Sequence, residues 1–398
     1  MLMQLSQLNS TLRKSYLINF LINAQFFGSI TVPFFLEWGH LSFTQLFILE
    51  AFFTLCVFLF EIPTGYVADK WGRKMSLVLG GLFSAISLFI FGMTDAYSAF
   101  FVAEFVGAIG CALLSGADRS LVYDALLEAG EEQTATEIMS RHETAGTIGV
   151  LIGLPVGSFL AGSTLLPYPQ VLTIPFFISA TFILVSSLVA LTLREPARSG
   201  KMDDVITEGI GGLKYIFGHS KLKKLALHFS FISATTFFIF WLYQPILQSV
   251  GVGIQWLGVV GFGFNLFSLF LLTNINTIEH KIGIRSLLFY STLIPGIAYL
   301  GLFVFHNVGF IIFAVFLIVG MRKLRMPLFA DYMNRFIESR NRATVLSGIS
   351  MIERLMIALM YPVVGLIADY SVFIPFLLLG SITILFAVFG KIEAEHLS

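Results

Sequence analysis

The chain has 398 residues, of which 57% are hydrophobic and 12% charged, and its formal net charge is zero. Soluble globular proteins have about 25% charged residues, so this composition excludes an ordinary soluble domain and indicates an integral membrane protein. A neutral chain offers no basic surface, so nucleic acid is not an expected partner. Cys56 and Cys111 each lie in an apolar run, which predicts buried thiols rather than a disulfide or a metal site.

Twelve apolar runs are long enough to cross a bilayer, which takes about 20 apolar residues in a helix. Lipid offers no hydrogen-bond partners to the backbone, so each run is predicted to be helical. The first run is too long for the apolar part of a signal peptide and no small-residue cleavage site follows it, so it is interpreted as a span. The predicted limits are 14–36, 42–66, 75–93, 98–118, 142–163, 171–193, 223–248, 256–278, 285–304, 307–329, 344–367 and 372–391.

The positions of lysine and arginine predict the orientation of these spans. The loops on one predicted face contain no lysine or arginine, and nearly all of the 24 basic residues lie at the other face. Basic residues accumulate on the cytoplasmic side of membrane proteins. The sequence therefore predicts that both termini are cytoplasmic and that the chain lies in the cell inner (plasma) membrane.

The longest connection, at 194–222, divides the spans into two groups of six. It predicts an N-terminal half at 1–193, a cytoplasmic linker and a C-terminal half at 223–398. A weak repeat supports two related halves, because "GLPVGSFLAG" in span 5 resembles "YPVVGLIAD" in span 11. The predicted fold is therefore an all-α integral membrane protein, with twelve transmembrane helices in two six-helix pseudo-symmetric halves, which is typical of transporters.

A charged cluster interrupts the apolar sequence between spans 2 and 3, where the chain reads "GYVADKWGRK". Glycines allow close helix approach and tight turns, and an aspartate can bind a helix N-terminus or an arginine. The basic residues alone would be enough to hold the loop in the cytoplasm, but that role requires neither the aspartate nor the glycines. A gating role is therefore the favoured interpretation. The residues of this candidate gating motif are Gly65, Asp69, Lys70, Gly72, Arg73 and Lys74.

This cluster, at this loop, resembles the signature of the major facilitator superfamily, and the layout of the whole chain is similar to that family. The resemblance implies that the motif locks the cytoplasmic ends of the two halves together when the binding site faces outward. It also implies that Asp69 docks near the start of span 11, around 343–345. Asp118 or Asp124, after span 4, would complete the charge network with Arg73.

Span 5 carries three glycines spaced by four residues, Gly149, Gly153 and Gly157. They share one helix face, and small-residue faces let helices pack closely in lipid. The span also resembles, imperfectly, the antiporter signature of the family. Pro155 is displaced by one position and Ser158 replaces a glycine. Two interpretations stay open, a proton-tight helix of an exporter and ordinary helix packing.

Ionisable residues inside spans require an explanation, because each costs about 2.5–3.5 kcal/mol at a helix centre. A buried carboxyl group can carry a proton, and Glu104 in span 4 is the preferred candidate. Drug-efflux members of the family often have an arginine in this part of span 4, where this chain has Glu104. This difference weakens any transfer of their substrate class to this chain. A neighbouring glutamate and arginine in span 11 could instead be structural. The candidates for proton coupling are Glu104, Glu50, Glu353 and Arg354.

Polar and aromatic side chains within spans 1, 7 and 8 could line a central cavity. Such a cavity would be aromatic and weakly charged, which disfavours highly charged cargo. Hydrogen bonds between helices are the alternative role for the amides. The candidates are Asn19, Asn23, Gln25, Trp241, Tyr243, Gln244 and Asn265.

These observations predict a secondary active transporter of a small amphipathic or apolar molecule that works by alternating access, with proton-coupled export as the favoured mode. A metabolite importer, either symporter or uniporter, is the alternative. A membrane enzyme is less favoured because the histidines lack catalytic or metal-binding spacing. The sequence shows no Walker motif, so ATP is not expected to be the direct energy source. No cofactor or metal is expected. The expected partners are the small-molecule substrate, protons and membrane lipids, and the chain is predicted to be a monomer.

Overall fold

The computed structural model describes residues 2–196, 205–334, 337 and 342–389. Regular structure in these residues is helical throughout, and they contain no strand. The helices of the N-terminal part are α1 (Leu2–Asn23), α2 (Thr31–Pro33), α3 (Phe43–Trp71), α4 (Arg73–Met93), α5 (Tyr97–Leu114), α6 (Ala117–Ala129), α7 (Ala135–Ala161) and α8 (Ile174–Leu191).

The C-terminal part is built in the same way, from long apolar helices joined by short connections. Its helices are α9 (Val205–Gly218), α10 (Ser220–Phe237), α11 (Ile239–Ser249), α12 (Leu257–Thr273), α13 (Ile275–Ile282), α14 (Ile284–Val304), α15 (Val308–Asn334), α16 (Arg342–Tyr370) and α17 (Ile374–Phe389).

Nine helical segments in the described part of the chain are long and apolar enough to cross a membrane, and Ile374–Val388 is a shorter apolar helix. Two further predicted spans correspond to α1 with the turns that follow it, and to α15. The apolar start of α15 is followed by Arg322, Lys323 and Arg325. Together these elements give the twelve-span layout, so the predicted fold class is confirmed.

Span 1 is not one continuous helix, in contrast to the prediction for 14–36. The helix α1 ends at Asn23, and turns follow before α2 and a π-helix at Phe34–Trp38. Backbone N–H groups at this break donate to carbonyl groups of the same turns, and Phe26 N also donates to Ser179 Oγ at 3.0 Å. Ser29 Oγ donates to the carbonyl oxygen of Leu154 at 2.8 Å. Irregular backbone is tolerated at membrane depth where it is covered by protein in this way.

The glycine face of α7 packs directly against this broken segment. A Cβ atom on Gly149 would lie 2.5 Å from the carbonyl oxygen of Phe20, and one on Gly157 would overlap the carbonyl oxygen of Phe26. The three glycines therefore allow backbone-to-backbone contact between α7 and span 1, as the small-residue spacing predicted.

The chain forms two compact units. The first contains Met1–Leu41, Phe52–Asp203 and Ile254–Phe262, and the second contains Ser42–Ala51, Asp204–Gly253 and Gly263–Ser398. The start of α3 thus belongs to the second unit, and the start of α12 belongs to the first. The predicted division of the chain at 194–222 stays a prediction, and residues 197–204 of that linker lie outside the described residues.

Aromatic rings fill much of the core of each unit. In the first unit the rings of Phe34 and Phe176 lie 3.9 Å apart between centroids, and the ring of Phe91 lies 5.5 Å from that of Phe100. In the second unit the ring of Phe229 lies 5.0 Å from that of Phe329. The many phenylalanines are therefore core residues of the helix bundles as well as lipid-facing ones.

Candidate functional site

The candidate gating motif spans the turn between α3 and α4. Gly65, Asp69 and Lys70 lie in the last turns of α3, and Arg73 begins α4. Gly72 between the helices has a φ of +102°, a conformation that glycine adopts readily and other residues avoid. The tight turn predicted at this glycine is therefore present. The side chain of Asp69 and those at 343 and 344 lie outside the described residues, so the docking of Asp69 stays a prediction.

The start of α4 is capped by Glu195, which follows α8. Its Oε1 accepts a hydrogen bond from Arg73 N at 2.7 Å and its Oε2 accepts one from Lys74 N at 2.8 Å. A carboxylate at this position satisfies the free N–H groups of the helix and complements its dipole. A Cβ on Gly72 would lie 2.6 Å from the Glu195 carboxyl carbon, so glycine is also required for this contact.

Sequence reasoning did not identify Glu195. The only signal was its place in "REP", directly after the last apolar residue of span 6. Its partners lie 121 and 122 residues earlier in the chain, so no local spacing pointed to the contact.

The two acidic residues predicted to complete the motif both lie on α6, but they have different neighbours. Arg73 Nε lies 3.9 Å from Asp124 Oδ2, and both side chains are partly exposed. Asp118 Oδ2 lies instead 3.7 Å from His142 Nε2. Asp124 is therefore the acid beside Arg73. The gating role of the whole set stays a prediction.

A buried polar network joins α1 to α7 in the first unit. His142 is fully buried, and Asn19 Nδ2 donates to its carbonyl oxygen at 2.7 Å and lies 3.2 Å from its Nδ1. Asn23 Nδ2 donates to Asn19 Oδ1 at 2.7 Å. The amide of Asn19 is thus used between the helices, whereas Gln25, in the break after α1, is exposed. A cavity role for these three amide residues stays a prediction.

The two glutamates predicted within spans 2 and 4 are both buried. Glu50 on α3 is 9% exposed and Glu104 on α5 is 6% exposed. Each lies inside a helix that is apolar and long enough to cross the membrane. Burial of a carboxyl group at membrane depth is costly, so a residue of this kind is a candidate for function. Their burial is therefore compatible with a role in proton coupling.

An ion pair in the second unit involves Glu353. Its Oε1 lies 3.2 Å from Arg322 Nη2, and both side chains are 15% exposed. The other guanidinium nitrogen of Arg322 donates to the carbonyl oxygen of Ser233 and, at 3.3 Å, to Thr236 Oγ1. These acceptors lie near the end of α10, where span 7 is interrupted before α11. The arginine therefore links α10, α15 and α16, a connection that sequence reasoning missed.

Arg325, one turn further along α15, is 2% exposed. Its Nη1 donates to Thr292 Oγ1 at 2.6 Å and its Nη2 lies 3.1 Å from His228 Nδ1. Its guanidinium carbon also lies 4.9 Å from the ring centroid of Phe329, within the range of a cation–π interaction. The contacts of Arg325 with Thr292, His228 and Phe329 thus connect α10, α14 and α15.

The remaining candidates for a cavity lie on α11 and α12. Tyr243 and Gln244 are each 2% exposed. Trp241 is partly exposed, and its ring lies 6.0 Å from that of Phe47 and 6.2 Å from that of Tyr361. Asn265 is partly buried. The cavity role of these residues stays a prediction.

The family model described as Major Facilitator Superfamily matches residues 15–359. The chain therefore belongs to the major facilitator superfamily. Members of this family are secondary transporters that work by alternating access, so the chain is a multi-pass membrane transporter. The family resemblance found in the loop between spans 2 and 3 is thus confirmed.

Curated relatives extend this result. Multidrug resistance protein 1 of Bacillus subtilis (strain 168) is 28% identical over 180 residues, which are 45% of this chain and 43% of that protein. The match thus spans less than half the length of that relative. The uncharacterized MFS-type transporter YxaM of the same organism is 23% identical over 365 residues, which are 88% of this chain and 89% of that protein.

Solved transporter structures have the same fold. The nucleoside transporter NupG has a TM-score of 0.77 at 15% identity, over 96% of this chain and 98% of that chain. A D-xylose-proton symporter has a TM-score of 0.76 at 14% identity, over 96% of this chain and 97% of that chain. Likeness at these identities concerns the fold alone.

Proposed function

We propose that this transporter exports a small amphipathic or apolar molecule from the cytoplasm in exchange for protons. The observation that carries the proposal is the burial of Glu104 and Glu50 inside apolar membrane-crossing helices. A carboxyl group at this depth is costly and can serve a transport cycle by taking up a proton at one side of the membrane and releasing it at the other.

Two features support export. Proteins named for multidrug resistance in Bacillus subtilis (strain 168) are 28% and 26% identical to parts of this chain. The glycine face of α7 also resembles, imperfectly, the antiporter signature of the family. An aromatic cavity built from residues such as Trp241 would favour amphipathic or apolar cargo over highly charged cargo.

Exchange of cargo for protons across the membrane follows if the two compete for the same cavity. Protonation of a carboxyl group removes its charge and changes which conformation of the transporter is favoured. Cargo leaving on the outside would then be replaced by a proton, which dissociates on the inside. In the same scheme the candidate gating motif around Asp69 closes the cytoplasmic side while the binding site faces outward. The transporter would act as a monomer among membrane lipids.

The orientation in the plasma membrane is tested by reporter fusions. We expect fusions after Ala96 and Asn307 to report the outside and fusions after Met75 and Gly200 to report the cytoplasm, because basic residues accumulate on the cytoplasmic face. The readout is a pair of reporters, one active only in the cytoplasm and one active only outside. A clear reversal at any of these positions would contradict the predicted orientation.

The transport mode is tested with purified protein in proteoliposomes and a panel of amphipathic dyes, nucleosides and pentoses. For a proton antiporter, we expect a substrate to accumulate when the vesicle interior is acidic, because outward proton flow drives substrate uptake. A symporter accumulates substrate when the exterior is acidic, and a uniporter responds to neither gradient. Accumulation of a substrate only under the symport gradient would overturn the proposal and favour the importer.

A further inference from the structure

The end of α16 is tied to the start of α3 by one carboxylate. Asp369 Oδ1 accepts a hydrogen bond from Phe43 N at 2.6 Å. Its Oδ2 accepts one from Thr44 N at 3.1 Å and one from Thr44 Oγ1 at 2.5 Å. The first N–H groups of a helix have no partners within the helix, and a carboxylate is a strong acceptor for them. Asp369 therefore caps α3 from a different helix.

Gly365 makes this contact possible from one turn earlier in α16. A Cβ at this position would lie 2.8 Å from the carbonyl oxygen of Phe43 and 3.0 Å from the Cα of Thr44. A larger residue would push the two helices apart and lengthen the bonds to Asp369. Gly365 and Asp369 are the first and last residues of the stretch "GLIAD". Gly65 and Asp69 have the same spacing in "GYVAD". The chain thus carries the same glycine-to-aspartate spacing at the ends of two long helices.

The helix held by Asp369 is shared between the two units. Its first residues, up to Ala51, belong to the second unit, and the rest of α3 belongs to the first. The start of α12 has the converse arrangement, since Ile254–Phe262 belong to the first unit. There Ser158 Oγ donates to the carbonyl oxygen of Gln255 at 2.9 Å. In the second unit α16 thus contacts the start of α3, and α3 continues in the first unit. In the first unit α7 contacts the segment just before α12, and α12 continues in the second unit.

We propose that Asp369 is a releasable latch of the transport cycle. In alternating access the two units take up two arrangements, and a helix shared between them cannot keep all its contacts in both. The predicted orientation places Asp369 at the outer face. Its bonds to Phe43 and Thr44 then stabilise the state that is closed outside, and they break when that face opens.

The geometry of the contact suits release. The bonds of Asp369 to Thr44 are exposed, so water can replace them when the helices separate. Charge-assisted hydrogen bonds are stronger than neutral ones, which allows a single residue to bias the equilibrium. The proposal needs alternating access only, and it is independent of the cargo, the direction of transport and the coupling ion.

The latch is tested by measuring the conformational equilibrium directly in lipid nanodiscs. The full chain, with Cys56→Ser and Cys111→Ser, is spin-labelled at exposed positions 96 and 308, one on each half at the predicted outer face. Double electron–electron resonance spectroscopy then gives the distribution of distances between the two spin labels. Asp369→Asn loses the charge and one of the two acceptor oxygens, so we expect the long-distance population to rise about fivefold relative to the short one, the scale of losing one hydrogen bond.

Two further variants make the result decisive. Thr44→Val keeps the backbone donor and removes only the hydroxyl, so we expect a smaller shift in the same direction, and it remains informative if Asp369→Asn folds poorly. Asp95→Asn removes an exposed carboxylate from the predicted outer face and should leave the distances unchanged. Unchanged distances in a folded Asp369→Asn variant, or an equal shift in the Asp95→Asn control, would overturn the latch.

Discussion

Replacement of Glu104 by glutamine is expected to abolish transport driven by a pH gradient while substrate exchange without a gradient continues. Glutamine keeps the size of the side chain but cannot bind or release a proton, so the coupled step is lost and the empty or loaded carrier can still change conformation. We expect the gradient-driven rate to fall about 100-fold or more, the size of effect seen when a proton-transfer group is removed. Both rates are measured in the same proteoliposomes.

Controls separate this role from a structural one. Glu104→Asp retains the carboxyl group and should recover part of the gradient-driven transport. Glu132→Gln makes the same chemical change at an exposed carboxylate and should change neither rate. If Glu104→Gln still moves substrate against its concentration gradient, Glu104 is not the proton carrier, and the same test passes to Glu50 and Glu353.

The largest expected effect on stability comes from Gly157→Ala. The added Cβ would overlap the carbonyl oxygen of Phe26, which belongs to the backbone of the break in span 1 and cannot rotate away as a flexible side chain would. The helix α7 would have to move away from span 1. Overpacking of this kind costs about 1–3 kcal/mol and sometimes more, so we expect an apparent Tm lower by about 1–4 °C in a chain of this length.

Gly218→Ala is the matched control for this prediction. Nothing lies within 4 Å of a Cβ built at Gly218, so the same added methyl group should be nearly neutral. The measurement is thermal unfolding of the two purified variants in detergent, together with the fraction that elutes as a single species from a size-exclusion column. An unchanged Tm for Gly157→Ala would show that α7 and span 1 do not pack through this glycine in the membrane protein.

Local features of the sequence determined the fold class of this protein. Apolar runs of membrane-crossing length predict spanning helices because the bilayer removes every alternative for an unpaired backbone. The turn at Gly72 and the spacing of Gly149, Gly153 and Gly157 were also readable, since each feature depends on residues close together in the chain. The family motif between spans 2 and 3 is another local pattern, and its position in the span order identified the family.

The tertiary structure alone decided which distant groups meet. Glu195 caps a helix that begins 122 residues earlier, Arg322 pairs with Glu353 on the next helix, and Asp369 holds a backbone 326 residues away. Lipid and the protein interior are both apolar, so hydropathy does not tell which face of a spanning helix meets which neighbour. The break after Asn23 was likewise hidden, because it depends on how closely the glycine face of α7 approaches and on the hydroxyl of Ser179 that accepts a hydrogen bond from Phe26 N.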